Sequence, residues 1–520
     1  MLDQNPPEPS QLENRCLQNV GRGLLGLSVV SWFVLMWPMW SGGPLVMDEH
    51  GSYWIIDSGL PGTSLMRSLD YAAIPPLSSW IQQVFLTVLG KSEFTFRLSS
   101  ALCALGAIFV SYLAGKELGS PLTGGLAALL VAWHPEAMDE VRIARCYGLV
   151  LLLGATVIWA TIRWHRTPGS LRVALFWSLA SAALLWTHYT SALLVILSGL
   201  SVAVSSFVRR DLSRATLSRL LVAALLVSVL CVPLIPSIFR LKEWGPILNF
   251  SDSSTSIWNV IGPFWWVGLP VGVVAVIALA RSRPQQEISR SGLWITGACS
   301  LLPLLILAAL ASSDMSSLAN PRYRVAYAPA GACFLALLLT SSRYWKVSIG
   351  AALVVLVASW SLTPLGPWEL GRLGSATEQE WRELNAYVAD NAKPGEPILV
   401  QSGLTESYLV PFYTEDRVFL EYVACRVSRF YVETAHPRYA LPYVWNPQTG
   451  VIDFFRELLQ SWHSDPGSFW VACATDTDLN QSSLNGIQAI ARETGFVPLE
   501  TQTWPSATLI HFQRQPGSSK

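Results

Sequence analysis

Eleven apolar runs dominate this chain, at about 22–40, 94–115, 121–134, 146–163, 172–188, 190–208, 219–239, 257–280, 293–311, 325–341 and 346–362. About 20 apolar residues of helix cross the hydrocarbon core of a bilayer. In that core every backbone N–H and C=O must be satisfied internally, so runs of this length predict helices. Only 13% of the residues are charged, against roughly 25% in soluble domains, and the mean hydropathy is +0.38. The formal net charge is zero, which argues against a nucleic-acid partner. Residues 1–21 are polar and read as a cytoplasmic segment before a retained first anchor rather than a cleaved signal. The run at 121–134 is short, and the division of 172–208 near His188 is the least marked of the boundaries.

Basic residues orient the runs. Arg163, Arg166 and Arg172, then Arg209, Arg210, Arg214 and Arg219, then Arg281, Arg283 and Arg290, then Arg343 and Lys346 occupy alternate loops. They therefore share a side, and an excess of Arg and Lys marks the cytoplasm. The other side receives 42–93, 135–145, 240–256, 312–324 and everything after 362. An odd number of spans puts the two termini on opposite sides, in agreement with this assignment. The setting expected is a bacterial inner (plasma) membrane, with the long loop and the tail outside.

Three regions follow: the cytoplasmic segment 1–21, a transmembrane domain 22–362 with a long outer loop at 42–93, and a tail 363–520. In the loop, PPLSSWIQQVFLTVLG at 75–90 spaces its apolar residues as an amphipathic interfacial helix does. The tail alternates helical and strand patterns: a helix before Lys393-Pro394-Gly395, a strand after it, strands at FWVACATD (469–476), GFVPLE and TLIHFQR (508–514), and a helix near 484–494. That alternation predicts a small α/β domain. The fold class expected is an all-α polytopic membrane domain of about eleven helices with a C-terminal extracytoplasmic α/β domain. No GxGxxG or P-loop suggests a nucleotide site. The eight cysteines show no metal-binding spacing. Cys425 and Cys473 could pair in an oxidising compartment, and two free thiols are the plainer reading.

Charged residues on the outer side gather in MDEH (47–50), HPEAMDEVRIARCYGL (134–149) and NPRYR (320–324). Asp48 and Glu49 stand just beyond the first span. As structural residues they would cap a helix. As chemical groups, carboxylates accompanied by Arg suit a reaction on a phosphate-linked substrate: one takes a proton while guanidinium groups hold the phosphate. Arg142 and Arg145 would share a face of a helix, and Asp139 and Glu140 are their candidate ion partners. Arg145 alone reads equally as an anchor reaching for head groups. Arg97 could simply open the second span, and His188 could be a polar hinge.

The order MDEH, DYAAIPPLSSW, GKSEFTFRLSSALCAL, ARCYGL, THYTSALL and NPRYRVAYAPAGACFL resembles the glycosyltransferase C superfamily of polyprenyl-phosphate-sugar transferases. Its members include protein O-mannosyltransferases and lipid A aminoarabinose transferases. The resemblance covers most of 20–345. It implies an inverting transferase that takes a sugar from a polyprenyl-phosphate donor within membrane lipid and passes it to a saccharide, lipid or protein acceptor outside. It implies that Asp48 is the general base and that Glu49 positions the acceptor or holds a metal. Two departures stand out. Ile74 occupies a position that is often His, and Pro75-Pro76 carry none of the phosphate-binding Lys of the aminoarabinose transferases. The phosphate then falls to Arg97, Arg145, Arg322 or Arg324, with Arg145 beside Tyr147 and Arg322 beside Tyr323 preferred, and His188 as a further substrate contact. The phosphate ester supplies the donor energy, so no nucleotide is needed, and the two carboxylates could take Mg²⁺ or Mn²⁺. The alternative is a transporter or flippase of a lipid-linked saccharide. It would place polar groups mid-membrane on broken helices in repeated halves, whereas these charges gather at the outer edge.

Overall fold

The computed structural model describes residues 11–40, 42–209, 213–240, 260–280, 290–312, 318, 320–340, 345–363, 376–442, 451–462, 467–475 and 478–515. Arg210, Arg281, Arg283, Arg343 and most of the loop 240–256 lie outside them.

The helices in chain order are α1 (Gln11–Trp40), α2 (Met47–Ile56), α3 (Pro61–Met66), α4 (Leu77–Leu89), α5 (Glu93–Leu118), α6 (Pro121–Ala132), α7 (Pro135–Val141), α8 (Tyr147–Arg166), α9 (Leu171–Leu185), α10 (Ala192–Val208), α11 (Arg214–Cys231), α12 (Pro263–Ala280), α13 (Arg290–Ala311), α14 (Ala328–Thr340) and α15 (Trp345–Ser361). The tail adds α16 (Ala376–Asn391), α17 (Arg417–Val423), α18 (Val451–Ser461) and α19 (Asp478–Glu493). Its strands are β1 (Ile398–Gln401), β2 (Arg438–Ala440), β3 (Ser468–Ala474), β4 (Phe496–Thr503) and β5 (Ala507–Arg514). Each expected apolar run coincides with a helix. Among the described residues, seven helices are long and apolar enough to cross a membrane, and α6, α9, α12 and α15 are shorter apolar helices. The protein is a multi-pass membrane protein.

By backbone contacts the chain forms two compact units. The first is Met1–Ser41, Arg97–Ile235 and Ser251–Gly371; the second is Gly42–Phe96, Pro236–Phe250 and Arg372–Lys520. The outer loop thus groups with the tail rather than with the spans that flank it.

In the first unit, α6 is buried from Leu122 to Ala132, as a helix apolar on all sides must be. Glycines allow its close approach to α1. A Cβ on Gly21 would lie 2.1 Å from the Pro121 carbonyl oxygen, and one on Gly125 would lie 2.6 Å from the Gly21 carbonyl oxygen. Small residues at helix contacts are how spans pack where lipid offers no hydrophobic gradient. The Trp133 indole donates to Ser31 at 2.9 Å, and the Trp360 indole donates to the Trp133 carbonyl at 2.9 Å. By contrast α11 exposes Leu217, Leu221, Leu225 and Val229. Their spacing of four marks one apolar stripe suited to acyl chains.

In the second unit the sheet order is β2-β1-β3-β5-β4, with β2, β1 and β3 parallel and β5 antiparallel to both β3 and β4. The central strand β3 is buried on both faces, which explains its unbroken apolar sequence. Phe469, Val471 and Cys473 join Phe455 and Leu459 of α18 and Ile487 and Ile490 of α19 in one core. Trp470 stacks on His511 at 4.1 Å. Glu396, just before β1, accepts from the Trp470 indole at 2.9 Å and from the Lys393 amide at 2.8 Å. Sequence patterning anticipates α16, β1, β3, α19, β4 and β5. It leaves out the three-residue β2 and the helices α17 and α18. Cys425 and Cys473 are both buried free thiols, so the cross-link considered for them is absent.

Tail residues tie both ends of the outer loop. The Arg382 guanidinium donates to the Gly42 carbonyl at 3.2 Å, and the Leu45 amide donates to the Tyr431 hydroxyl at 3.0 Å. At the exit, the Tyr431 hydroxyl donates to Glu93 at 3.1 Å, and Lys91 pairs with Glu433 at 2.6 Å. Helix α4 is inverted relative to a soluble amphipathic helix. Ser78, Ser79 and Gln82 are buried while Val84, Val88 and Leu89 are exposed, the arrangement of a helix whose apolar face meets lipid.

Candidate functional site

Asp48 and Glu49 open α2. The helix starts at Val46, whose side chain has no acceptor, so the first orphan amides need another partner. Glu49 supplies it: its Oε2 accepts the Val46 amide at 2.9 Å, one half of a capping box. Glu49 is fully buried and Asp48 is half-buried. The sequence allowed a capping reading and a chemical reading for the pair. The structure assigns the cap to the second carboxylate. His50 is buried, with its ring 6.0 Å from that of Tyr431.

Tail residues surround α2 along its length. A Cβ on Gly51 would lie 3.8 Å from the Tyr422 ring, and a Cβ on Gly403 would lie 3.4 Å from the Met47 methyl. The rings of Trp54 and Tyr422 are 5.0 Å apart, and the Tyr422 hydroxyl donates to Glu406 at 3.1 Å. Asp48, Glu406, Arg426 and Arg438 all act electrostatically on the Cys425 thiol, which burial pushes well above its ordinary range. At the far end of α2, Asp57 pairs with Arg67 and lies 3.7 Å from Arg429; Glu421 lies 3.6 Å from Arg429 and 3.5 Å from Arg438. Tail residues about Asp48 were not legible in the sequence, because they are far along the chain and carry no periodic signal.

Glu378 of α16 lies near the start of α2. Burial raises the Glu378 pKa, opposed by the Arg426 guanidinium and raised further by Glu49. Arg426 is 3.4 Å from Glu378, donates to the Ser402 carbonyl at 2.9 Å and lies 4.2 Å from the centre of the Trp381 ring.

The remaining candidates belong to the first unit, where five of them gather. His188 stands between two tyrosines, its ring 5.6 Å from Tyr147 and 5.5 Å from Tyr323. The Arg322 guanidinium lies 5.4 Å from the Tyr323 ring centre. Arg145 and Arg322 both act on His188 and on Tyr147. Thr190 and His188 share a hydrogen bond of 2.8 Å, and the Tyr327 hydroxyl donates to the Thr190 carbonyl at 2.7 Å. Two cations beside two tyrosine rings and an imidazole are groups with which an anion could be held. Arg142 and Arg145 do not share a helix: residues 142–146 form the turn between α7 and α8. Arg142 pairs with Asp139, as one sequence reading had it. Arg97 is fully buried on α5, one turn before Ser100, whose hydroxyl donates to the Val141 carbonyl at 2.9 Å.

Arg324, offered by the sequence for the phosphate, has a carboxylate partner that sequence reasoning missed. Arg324 and Glu136 are buried 2.8 Å apart. Gly262, with φ +78°, leaves room for them, since a Cβ there would stand 2.2 Å from the Glu136 carboxylate. Among the described residues no three His, Cys, Asp or Glu side chains converge as a metal-binding group.

Residues 73–236 match the family described as dolichyl-phosphate-mannose-protein mannosyltransferase. The crystal structure of ArnT from Cupriavidus metallidurans bound to undecaprenyl phosphate is similar with a TM-score of 0.60 at 15% identity, covering 94% of this chain and 98% of that one. The apo state of the same protein gives a TM-score of 0.59 at 15% identity with the same coverage. The oligosaccharyltransferase AglB from Archaeoglobus fulgidus, in complex with an inhibitory peptide and a dolichol-phosphate, is similar at a TM-score of 0.48 and 10% identity, over 91% of this chain and 71% of that one. No curated protein matches the sequence significantly. This multi-pass chain therefore shares the ArnT fold over nearly all its length and resembles the glycosyltransferase C superfamily.

Proposed function

We propose that this protein is an integral-membrane glycosyltransferase that moves a sugar from a polyprenyl-phosphate donor to an acceptor hydroxyl or amine on the extracytoplasmic side of a bacterial inner membrane. The observation that carries the reading is the cluster of Arg145, Tyr147, His188, Arg322 and Tyr323. Its two guanidinium groups and polar aromatic edges match a phosphate ester. The fold shared with a protein crystallised with undecaprenyl phosphate supports it, as does the mannosyltransferase match over 73–236.

In this reading the donor phosphate is held by Arg145 and Arg322, with Tyr147, Tyr323 and His188 completing the site and Arg97 as a further candidate. Asp48 accepts the proton of the acceptor nucleophile. The nucleophile attacks the anomeric carbon from the face opposite the phosphate, the bond between that carbon and the phosphate oxygen breaks, and polyprenyl phosphate leaves. One displacement inverts the anomeric centre. Guanidinium charge offsets the charge that grows on the leaving phosphate, so its stabilisation is greatest in the transition state. Glu49 holds the start of the helix that carries Asp48. The membrane domain has eleven spans with the tail outside.

The test incubates membranes containing the protein with labelled polyprenyl-phosphate sugars of several kinds and measures release of polyprenyl phosphate. Native envelope membranes serve as the acceptor source. Wild type should release lipid phosphate from at least one donor. Asp48→Asn should bind that donor and release none, and Arg145→Gln with Arg322→Gln should lose donor binding. Equal release by wild type and Asp48→Asn at matched expression overturns the assignment of the base. Unchanged donor binding in the double Arg variant overturns the phosphate site.

A further inference from the structure

We infer that Thr190 and Tyr327 are positioning residues of the proposed phosphate site: together they hold the His188 imidazole so that its Nε2 atom donates to the phosphate of the donor. The inference rests on the reading of Arg145, Tyr147, His188, Arg322 and Tyr323 as that site.

The torsion that turns an imidazole about its own axis is broad and roughly two-fold. The rings of Tyr147 and Tyr323 lie 5.6 Å and 5.5 Å from that of His188. Such contacts limit how far the imidazole tilts, but they do not tell a ring nitrogen from a ring carbon. A flip of the ring would replace Nε2 by a carbon and leave both aromatic neighbours in place. Thr190 makes the distinction. Its hydroxyl shares a hydrogen bond of 2.8 Å with Nδ1, which a ring carbon at that place could not sustain. Nε2 is then the nitrogen that this bond leaves for a ligand. Facing an anion, Nε2 must carry the ring proton, because a lone pair there would repel a phosphate oxygen. Nδ1 then accepts, and the Thr190 hydroxyl, which rotates to donate or to accept, donates.

Thr190 is itself held. It lies in the single 3₁₀ turn Tyr189–Ser191 between α9 and α10, and its carbonyl accepts the Tyr327 hydroxyl at 2.7 Å. Tyr327 is 1% exposed and ends the 3₁₀ segment Pro321–Tyr327, which also carries Arg322 and Tyr323. That segment is fixed at its start by the Asn320 side chain, which accepts the Arg322 amide at 3.2 Å, and in its middle by the pair of Arg324 and Glu136. The bond from Tyr327 to Thr190 therefore sets the His188 turn against the segment that supplies a guanidinium to the same phosphate. Thr190 and Tyr327 act through His188 and need not touch the donor.

The experiment measures the Kd of the full chain in lipid nanodiscs for a fluorescently labelled polyprenyl phosphate, a readout independent of sugar transfer. Thr190→Val keeps the shape and removes the hydroxyl. One neutral hydrogen bond contributes modestly, so Kd should rise about 3- to 10-fold. Thr190→Ser keeps the hydroxyl and should bind nearly as wild type. Tyr327→Phe removes only a hydroxyl and should weaken binding in the same direction. In a His188→Ala background neither substitution should weaken binding further, since the group they position is gone, whereas general damage to the fold would persist there. Wild-type affinity in Thr190→Val overturns the inference. So does a serine variant as weak as the valine variant, or a valine defect undiminished in the absence of His188. If Thr190→Val fails to fold, Tyr327→Phe measured with and without His188 decides in its place. Arg145→Gln with Arg322→Gln run alongside separates the two readings. If that double variant binds as wild type, the phosphate site fails; if it loses binding while Thr190→Val and Tyr327→Phe do not, only the positioning role fails.

Discussion

Glu49 accepts the Val46 amide at 2.9 Å through its Oε2 atom, so of two adjacent carboxylates one closes the helix and the other remains half-buried beside tail residues. Loss of a good N-cap partner costs about 1 kcal/mol. Glu49→Gln, whose amide oxygen can still accept, should keep the thermal midpoint and most of the transfer rate. Glu49→Ala should lower the midpoint by the few degrees that such a loss implies and reduce the rate. Thermal melts and donor turnover of the two purified variants check this. A rate in Glu49→Gln as low as that of Asp48→Asn would give Glu49 a chemical role beyond capping.

The buried pair of Glu136 and Arg324 joins α7 to the segment that carries Arg322. Removing one partner of such a pair strands the other charge and costs about 3–5 kcal/mol. Glu136→Leu and Arg324→Met should each destabilise the detergent-solubilised protein strongly. The double variant should recover much of the loss, because two apolar groups strand no charge. A double variant no more stable than the singles would count against this account.

Gly262 permits the same pair to form. Its φ of +78° disfavours any side chain, and a Cβ would sit 2.2 Å from the Glu136 carboxylate. Gly262→Ala should therefore lower the thermal midpoint about as much as loss of the ion pair. Combining it with Glu136→Ala should cost less than the two effects added, since the obstructing carboxylate is gone. The midpoints of the two single variants and the combination test this.

Glu396 links stability to pH in the tail. Burial alone would raise its pKa, but hydrogen bonds from Ser468, Trp470 and the Lys393 amide outweigh it and hold the pKa below the ordinary carboxylate range. A carboxylate depressed on folding contributes stability that is full above its unfolded pKa and is lost as pH falls through the folded one. Amides of β1 and β3 should thus be better protected in wild type than in Glu396→Gln at pH 7. The difference, read at matched pH by hydrogen exchange, should shrink on acidification below the carboxylate range. A difference that grows with acid would reverse the sign of the linkage.

Helix α4 presents Val84, Val88 and Leu89 outward. Val84→Asp with Val88→Asp should leave the tail fold intact and weaken the contact of this helix with lipid, seen as increased quenching by aqueous agents of a probe placed at Leu89. An unchanged probe would show that this face meets water in the wild type.

What the sequence by itself determined is that its long apolar runs form helices, together with most of the α/β pattern of the tail. Those features arise from local periodicity and from the bilayer's demand for internal hydrogen bonds, and neither needs knowledge of partners. The gathering of Arg145, Tyr147, His188, Arg322 and Tyr323 was legible as a list of residue types near membrane boundaries, but not as one cluster about His188. Tertiary structure decided the rest. It put the outer loop with the tail, gave Glu49 to the helix cap in the absence of a polar residue at Val46, and brought Glu378 near the start of α2. It also made 142–146 a turn, so Arg142 went to Asp139 while Arg145 went to the His188 cluster. Each of these rests on contacts between segments far apart in the chain, where an ion pair or a single amide bond leaves no repeat in the sequence to read.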